Sequence, residues 1–162
     1  MIRVLIVDDD KLARRGLASL MHWETYGMAV VGEAQNGKNA LQFIQEHPVD
    51  LVFVDIDMPE MNGIEFMEEC RRIKPDVQFV VLSFFENFSY VQSTLRLGGL
   101  DYISKTSMEL DNGDTILQRI VEKFEQCICK KFRSRRWGKN CRKPGKSVGR
   151  SIGSLMMLLL SV

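Results

Sequence analysis

At 162 residues, 45% hydrophobic and 27% charged, the chain has the size and composition of one globular domain with a short appendage, which excludes a disordered or fibrous class. Its net charge of +1 hides an asymmetry. Residues 1–126 carry 12 basic and all 21 acidic side chains, a net of −9, whereas residues 127–162 carry ten basic side chains and no acid. The four cysteines lack framework or zinc-site spacing, and no signal-peptide pattern opens the chain. The longest late apolar run, Leu155 to Leu160, falls far short of the roughly 20 residues of a membrane span, so the expectation is a cytoplasmic domain without a membrane segment.

Taken in chain order, residues 1–125 alternate between two patterns. Short runs apolar on both faces occur at Ile2–Val7, Met28–Val31, Leu51–Val54, Phe79–Leu82 and Leu100–Ile103, as suits strands of a parallel sheet buried between helices. Between them lie helical spacings: Ala13, Leu17 and Leu20; Ala40 and Ile44; Ile64, Met67 and Cys70; Val91 and Leu95; Ile116, Ile120 and Phe124. Asn36-Gly37 and Asn62-Gly63 punctuate the starts of the second and third helices, and Pro75 follows the third. Five β–α repeats predict a three-layer, doubly wound α/β domain. From Cys127 the periodicity fades into a Gly-punctuated basic segment, so 1–126 is read as the domain and 127–162 as a disordered tail.

Open α/β sheets bind ligands at the carboxyl ends of their strands. The first strand ends in Asp8-Asp9-Asp10, the third at Asp55 and the fourth at Ser83, while the fifth leads to Lys105. Carboxylates gathered in one crevice repel unless a cation joins them, and a hard ion such as Mg²⁺ fits such a cluster. A lysine and a hydroxyl beside it could hold the oxygens of a transferring phosphoryl group, and one carboxylate could act as nucleophile. One of the three consecutive acids would equally serve to cap the first helix.

The combination of VDDD at 7–10, DIDMPEMNG at 55–63, LS at 82–83 and DYISK at 101–105 resembles the response-regulator receiver family of two-component signalling, across residues 1 to about 125. The resemblance implies a flavodoxin-like fold with five parallel strands in the order 2-1-3-4-5 and five helices. It implies that Asp55 accepts a phosphoryl group from a sensor histidine kinase in a Mg²⁺-dependent reaction. Asp9 would be a direct metal ligand, Asp8 would hold the ion's waters, and Asp55 with the Asp57 backbone carbonyl would complete the set. Asp10, one place further on, is the weaker metal candidate. Ser83 and Lys105 would contact phosphoryl oxygens, and Tyr102 would move inward with Ser83 as a switch. Homodimerisation on phosphorylation is compatible with the family. His22-Trp23-Glu24, VVGEAQNGKNAL at 30–41 and LSFFENFSYV at 82–91 resemble the subgroup with AraC-type helix-turn-helix outputs. Residues 127–162 lack the length and patterning of such an output, so DNA would be reached only through a domain not carried here.

Three departures from the family pattern stand out. Phe84 follows Ser83 where a small residue is usual, so the approach to the site is expected to be partly covered. Thr106 follows Lys105 where proline is usual, so that loop is expected to be trans or strained. Asp57 and Phe85 occupy the variable positions that tune dephosphorylation. Two rival readings carry different chemistry. Asp55-Ile56-Asp57 also resembles the DxD of haloacid-dehalogenase-type phosphatases, although that motif ends a first strand and lacks a following proline. The basic tail, with Phe132 and Trp137 interleaved, has the composition of a nucleic-acid or anionic-membrane contact.

Overall fold

In the computed structural model, residues 1–84, 88–106 and 113–135 are described; Phe85 and the basic segment beyond Arg135 lie outside them. The strands are β1 (Ile2–Val7), β2 (Met28–Ala34), β3 (Leu51–Asp55), β4 (Gln78–Ser83) and β5 (Asp101–Ser104). The helices are α1 (Lys11–Leu20), α2 (Gly37–Glu46), α3 (Gly63–Ile73), α4 (Phe88–Arg96) and α5 (Gly113–Arg135), with a 3₁₀ turn at Trp23–Tyr26. All strand pairs are parallel, in the order β2-β1-β3-β4-β5. This is the predicted doubly wound order.

Alternation along each strand divides the core into two layers. Leu5, Val7, Val52, Val54, Phe79 and Val81 face α2 and α3, where Ala40, Ile44, Phe66, Met67 and Cys70 meet them. Val4, Ile6, Leu51, Phe53, Val80 and Leu82 face Ile116, Leu117, Ile120 and Phe124 of α5, with Leu17 and Ala18 of α1 alongside. Burying each large apolar side chain contributes about 1.5–3 kcal/mol. Edge-to-face pairs add specificity in both layers: Trp23 on Phe53 at 5.1 Å and Phe66 on Phe79 at 5.9 Å between ring centres. Burial of Cys70 on the inner face of α3 pushes its thiol up to about 11, as expected of an inert core cysteine.

The predicted punctuation is realised as caps. Asn36 Oδ1 accepts from Asn39 N at 2.9 Å. Asn62 and Glu65 form a reciprocal capping box, each bond 3.0 Å. Asp10 caps α1, accepting from Leu12 N at 2.7 Å.

Two predicted helix faces are corrected. In α1, Leu20 is 79% exposed, because Met21 and Trp23 beyond the helix fill the core position that its spacing suggested. In α4 the inward face is shifted by one residue. Tyr90, Thr94 and Leu97 point inward while Leu95 is exposed, and Thr94 lies against Gly99, where a Cβ would come within 2.4 Å of Thr94 Cγ2. The final helix also runs on to Arg135, through the point where a disordered tail was expected. No glycine or proline interrupts it there, and Lys and Arg are good helix formers suited to a helix C-terminus. The fold and site lie in the unit Met1–Cys127. Among the described residues no helix is long and apolar enough to cross a membrane.

Away from the carboxyl ends, Arg3 closes a fork on Asp50, with Nη2 to Oδ1 at 2.7 Å and Nε to Oδ2 at 2.8 Å. Burial alone would raise Asp50, but the hydrogen bonds from Arg3 outweigh it and hold the carboxyl below its ordinary value of 3.8. A lowered carboxyl stabilises the fold above the unfolded pKa and loses that contribution as pH falls through the folded one. Acid unfolding should therefore steepen below about pH 4. In Asp50→Asn that step is expected to be absent, and melting temperatures recorded from pH 7 to pH 2.5 test this.

Candidate functional site

The parallel register brings the predicted residues together. Val7 of β1 sits beside Val54 of β3, so Asp8, the first residue past β1, and Asp55, the last residue of β3, come side by side at the carboxyl edge. Asp55 in turn pairs with Leu82, and Ser83 follows it as the buried last residue of β4, opposite Ser104 of β5. Lys105 comes directly after β5. Its side chain is 10% exposed and reaches back over the strand ends, with Nζ 2.6 Å from Asp8 Oδ2 and 3.1 Å from Asp55 Oδ2.

One ligand oxygen each from Asp8, Asp9 and Asp55 lie within 4.8 Å of one another. Asp8 and Asp55 are buried, while Asp9 is exposed at the rim. The second oxygen of each buried acid is engaged. Asp8 Oδ1 accepts from Asp10 N and Asp55 Oδ1 from Ile56 N, both at 2.9 Å. Asp10 caps α1 and is no member of the cluster. Burial pushes the Asp55 carboxyl above its ordinary range; Lys105 opposes this and Asp8 adds to it. Burial would lower Lys105, but its bonds to Asp8 and Asp55 outweigh that and hold the ammonium above its ordinary value.

These groups fit a hard divalent cation. Three carboxylates less one ammonium leave a local charge of about −2, and every donor is a carboxylate oxygen. Asp57 is exposed two residues past Asp55, in the turn where Gly63 N donates to Ile56 O at 2.9 Å. Gly63 is required there, since a Cβ would come within 2.2 Å of the Asp55 carbonyl oxygen. Tyr102, half-buried on β5, packs against the layer of α2 and α3. Phe84 is 58% exposed and its ring centre stands 4.9 Å from Lys105 Nζ. The Lys105–Thr106 peptide is trans, as is every described peptide.

Two supporting residues had not been singled out. Arg14 donates to the carbonyls of Asp8 and Asp9. The signal for it was a cation near the N-terminus of a helix, where the dipole disfavours one. Arg71, at the end of α3, gathers the carbonyls of Pro75, Val77, Leu97 and Gly98, and no local pattern announces that role.

Comparison with known proteins gives a consistent result. Residues 4–117 match the model of the response regulator receiver domain. The chain is 32% identical over 128 residues to the uncharacterized transcriptional regulatory protein YesN of Bacillus subtilis, covering 79% of this chain and 33% of that protein. Among solved structures it is similar to the receiver domain of AraT, a response regulator from Geobacillus stearothermophilus (32% identity, TM-score 0.68, 81% of this chain and 98% of that one). A two-component transcriptional regulator AraC from Clostridium phytofermentans is similar as well (25% identity, TM-score 0.69, 81% and 98%). The chain spans less than half the length of the curated relatives it matches. A parallel sheet in this order, its carboxylates gathered at the strand ends under a lysine, and a family match over most of the domain agree: the chain belongs to the response regulator receiver family of two-component systems.

Proposed function

We propose that Asp55 accepts a phosphoryl group from a sensor histidine kinase in a Mg²⁺-dependent reaction, and that the domain changes shape in response. The observation that carries this reading is the Asp8–Asp9–Asp55 cluster with Lys105 bridging Asp8 and Asp55. An Asp55 carboxylate oxygen attacks phosphorus as the P–N bond of the phosphorylated imidazole breaks. The bonding pair stays on the imidazole nitrogen, which takes a proton from solvent. Mg²⁺ held by Asp9, Asp55 and the Asp57 carbonyl, with Asp8 on its waters, would neutralise charge on the transferring group. Lys105 exchanges its contact with the Asp55 oxygen for one with a phosphoryl oxygen. Ser83, buried at the end of β4, is suited to take a second oxygen, with half-buried Tyr102 following it inward. The relatives named as transcriptional regulators are longer than this chain. The reading assigns it to the cytoplasm, as the input half of a system whose output acts on DNA.

Incubation with acetyl phosphate and Mg²⁺ should add one phosphoryl group, read by intact mass. Omitting Mg²⁺ or substituting Asp55→Ala should prevent it. Equal labelling of the Asp55→Ala chain would refute the assignment. The lifetime of the product depends on water reaching phosphorus, and Phe84 stands over that side of Lys105. Phe84→Ala should therefore lose its phosphoryl group several-fold faster, a tenfold change needing only about 1.4 kcal/mol of barrier. Unchanged decay would show that Phe84 shields nothing.

A further inference from the structure

We propose that Arg14 is a positioning residue for the cation site: its guanidinium fixes the backbone that carries Asp8 and Asp9, and so sets where their carboxylates stand. Arg14 lies in the first turns of α1 with its side chain 11% exposed. A cation there opposes the helix dipole and adds positive charge beside a site that must attract a metal. Simple pairing with the cluster does not account for it. Its Nη1 donates to main-chain carbonyls, 2.5 Å from Asp8 O and 3.3 Å from Asp9 O. On the other side Nε lies 3.4 Å from Glu33 Oε2 of β2, which balances the charge locally.

The chain needs such a support at this point. The ladder with β2 ends where Asp8 N donates to Ala34 O at 3.1 Å. Asp10 is already committed to capping α1. Between them the peptides of Asp8 and Asp9 carry two of the three acids and have left the sheet. The Asp8 carboxylate is located independently by Asp10 N and Lys105. Asp9 is exposed, and Arg14 reaches its backbone carbonyl. Arg14 therefore acts mainly through Asp9. A charge effect and a positioning effect predict opposite signs. Loss of the cation alone would tighten Mg²⁺ binding, whereas loss of the support would weaken it. Partners that orient metal ligands typically alter affinity by about 10–100-fold when removed.

The inference rests on the cation site of the proposed function, and calorimetric titration of the full chain with MgCl₂ separates the two. Arg14→Met, which keeps the apolar stem, should bind Mg²⁺ about tenfold more weakly, with its metal-free melting temperature used to confirm that it is folded under the titration conditions. Arg14→Lys keeps the charge but is one atom shorter than the reach of Nη1 to the two carbonyls and should also bind more weakly; it decides the matter if Arg14→Met does not fold. Equal or tighter binding by the folded variants, with normal binding by the unaltered chain, would overturn the role of Arg14 alone. Failure of the unaltered chain to bind Mg²⁺ would overturn the cation site, and the role of Arg14 with it.

Discussion

In Mg²⁺-free buffer at neutral pH, Asp55→Asn should melt about 2–4 °C above the unaltered chain while taking up no phosphoryl group. Asparagine keeps the shape of the side chain and an oxygen to accept from Ile56 N, the bond that Asp55 Oδ1 makes at 2.9 Å. What it removes is a charge that burial and neighbouring Asp8 disfavour, as the raised Asp55 carboxyl records. Like charges about 4 Å apart repel by about 1 kcal/mol even in water and more strongly near protein. Lys105 cancels part of this, and the substitution leaves its partner Asp8, 2.6 Å away in the unaltered chain, in place. A net relief of about 1 kcal/mol corresponds to about 2–4 °C in a chain of this size. A carboxyl raised in the folded state costs stability above its folded pKa, and the cost disappears below its ordinary value of 3.8. The gap between the two chains should therefore close on acidification. Mg²⁺ should also close it, since a ligand at 100 times its dissociation constant stabilises by about 2.7 kcal/mol and only the intact cluster binds well. A metal-free Asp55→Asn chain that melts below the unaltered one would contradict the argument.

Lys105→Met should have the opposite effect on stability and a larger one. It leaves Asp8 and Asp55 buried without their shared cation and removes the contact with the Phe84 ring. Breaking a buried pair by removing one partner costs about 3–5 kcal/mol, and the lower figure corresponds to about 6–12 °C in melting temperature. Phosphoryl uptake should fall about 100-fold, the scale of losing one preorganised charge at a transferring group. Lys105 is held above its ordinary value of 10.5, so its contribution is complete below that pH and is lost only as pH rises through the folded value. The deficit of the variant should thus persist across the neutral range. Saturating Mg²⁺ should recover much of the stability, because a divalent ion compensates the same carboxylates, but not the rate. A variant melting within a degree of the unaltered chain would mean that the cluster is not under the repulsion described.

The opposite signs of these two substitutions follow from one arrangement that the sequence already contained in pieces. Five runs apolar on both faces, alternating with helical spacings, are suited to burial between two helical layers, so strand number, parallel pairing and the two-layer core were legible in the sequence pattern. Asn36 and Asn62 are local caps, and local patterns found them because a side chain reaching two or three residues ahead needs no tertiary partner. Asp8, Asp55, Ser83 and Lys105 were legible because each ends or follows a strand, and parallel register must bring such ends together. The tertiary structure decided what depends on distant packing. Met21 and Trp23 occupy the core where Leu20 was expected, and α4 packs with Thr94 inward against Gly99 and Leu95 outward. The division of labour among three consecutive acids was settled the same way, because a one-residue rotation at the end of β1 decides which carboxylate meets Lys105 and which caps α1. Arg71 was invisible, and Arg14 legible only as a cation near a helix N-terminus, for a related reason: both act on main-chain carbonyls, and a carbonyl has the same chemistry at every residue, so only the folded chain shows which ones they hold.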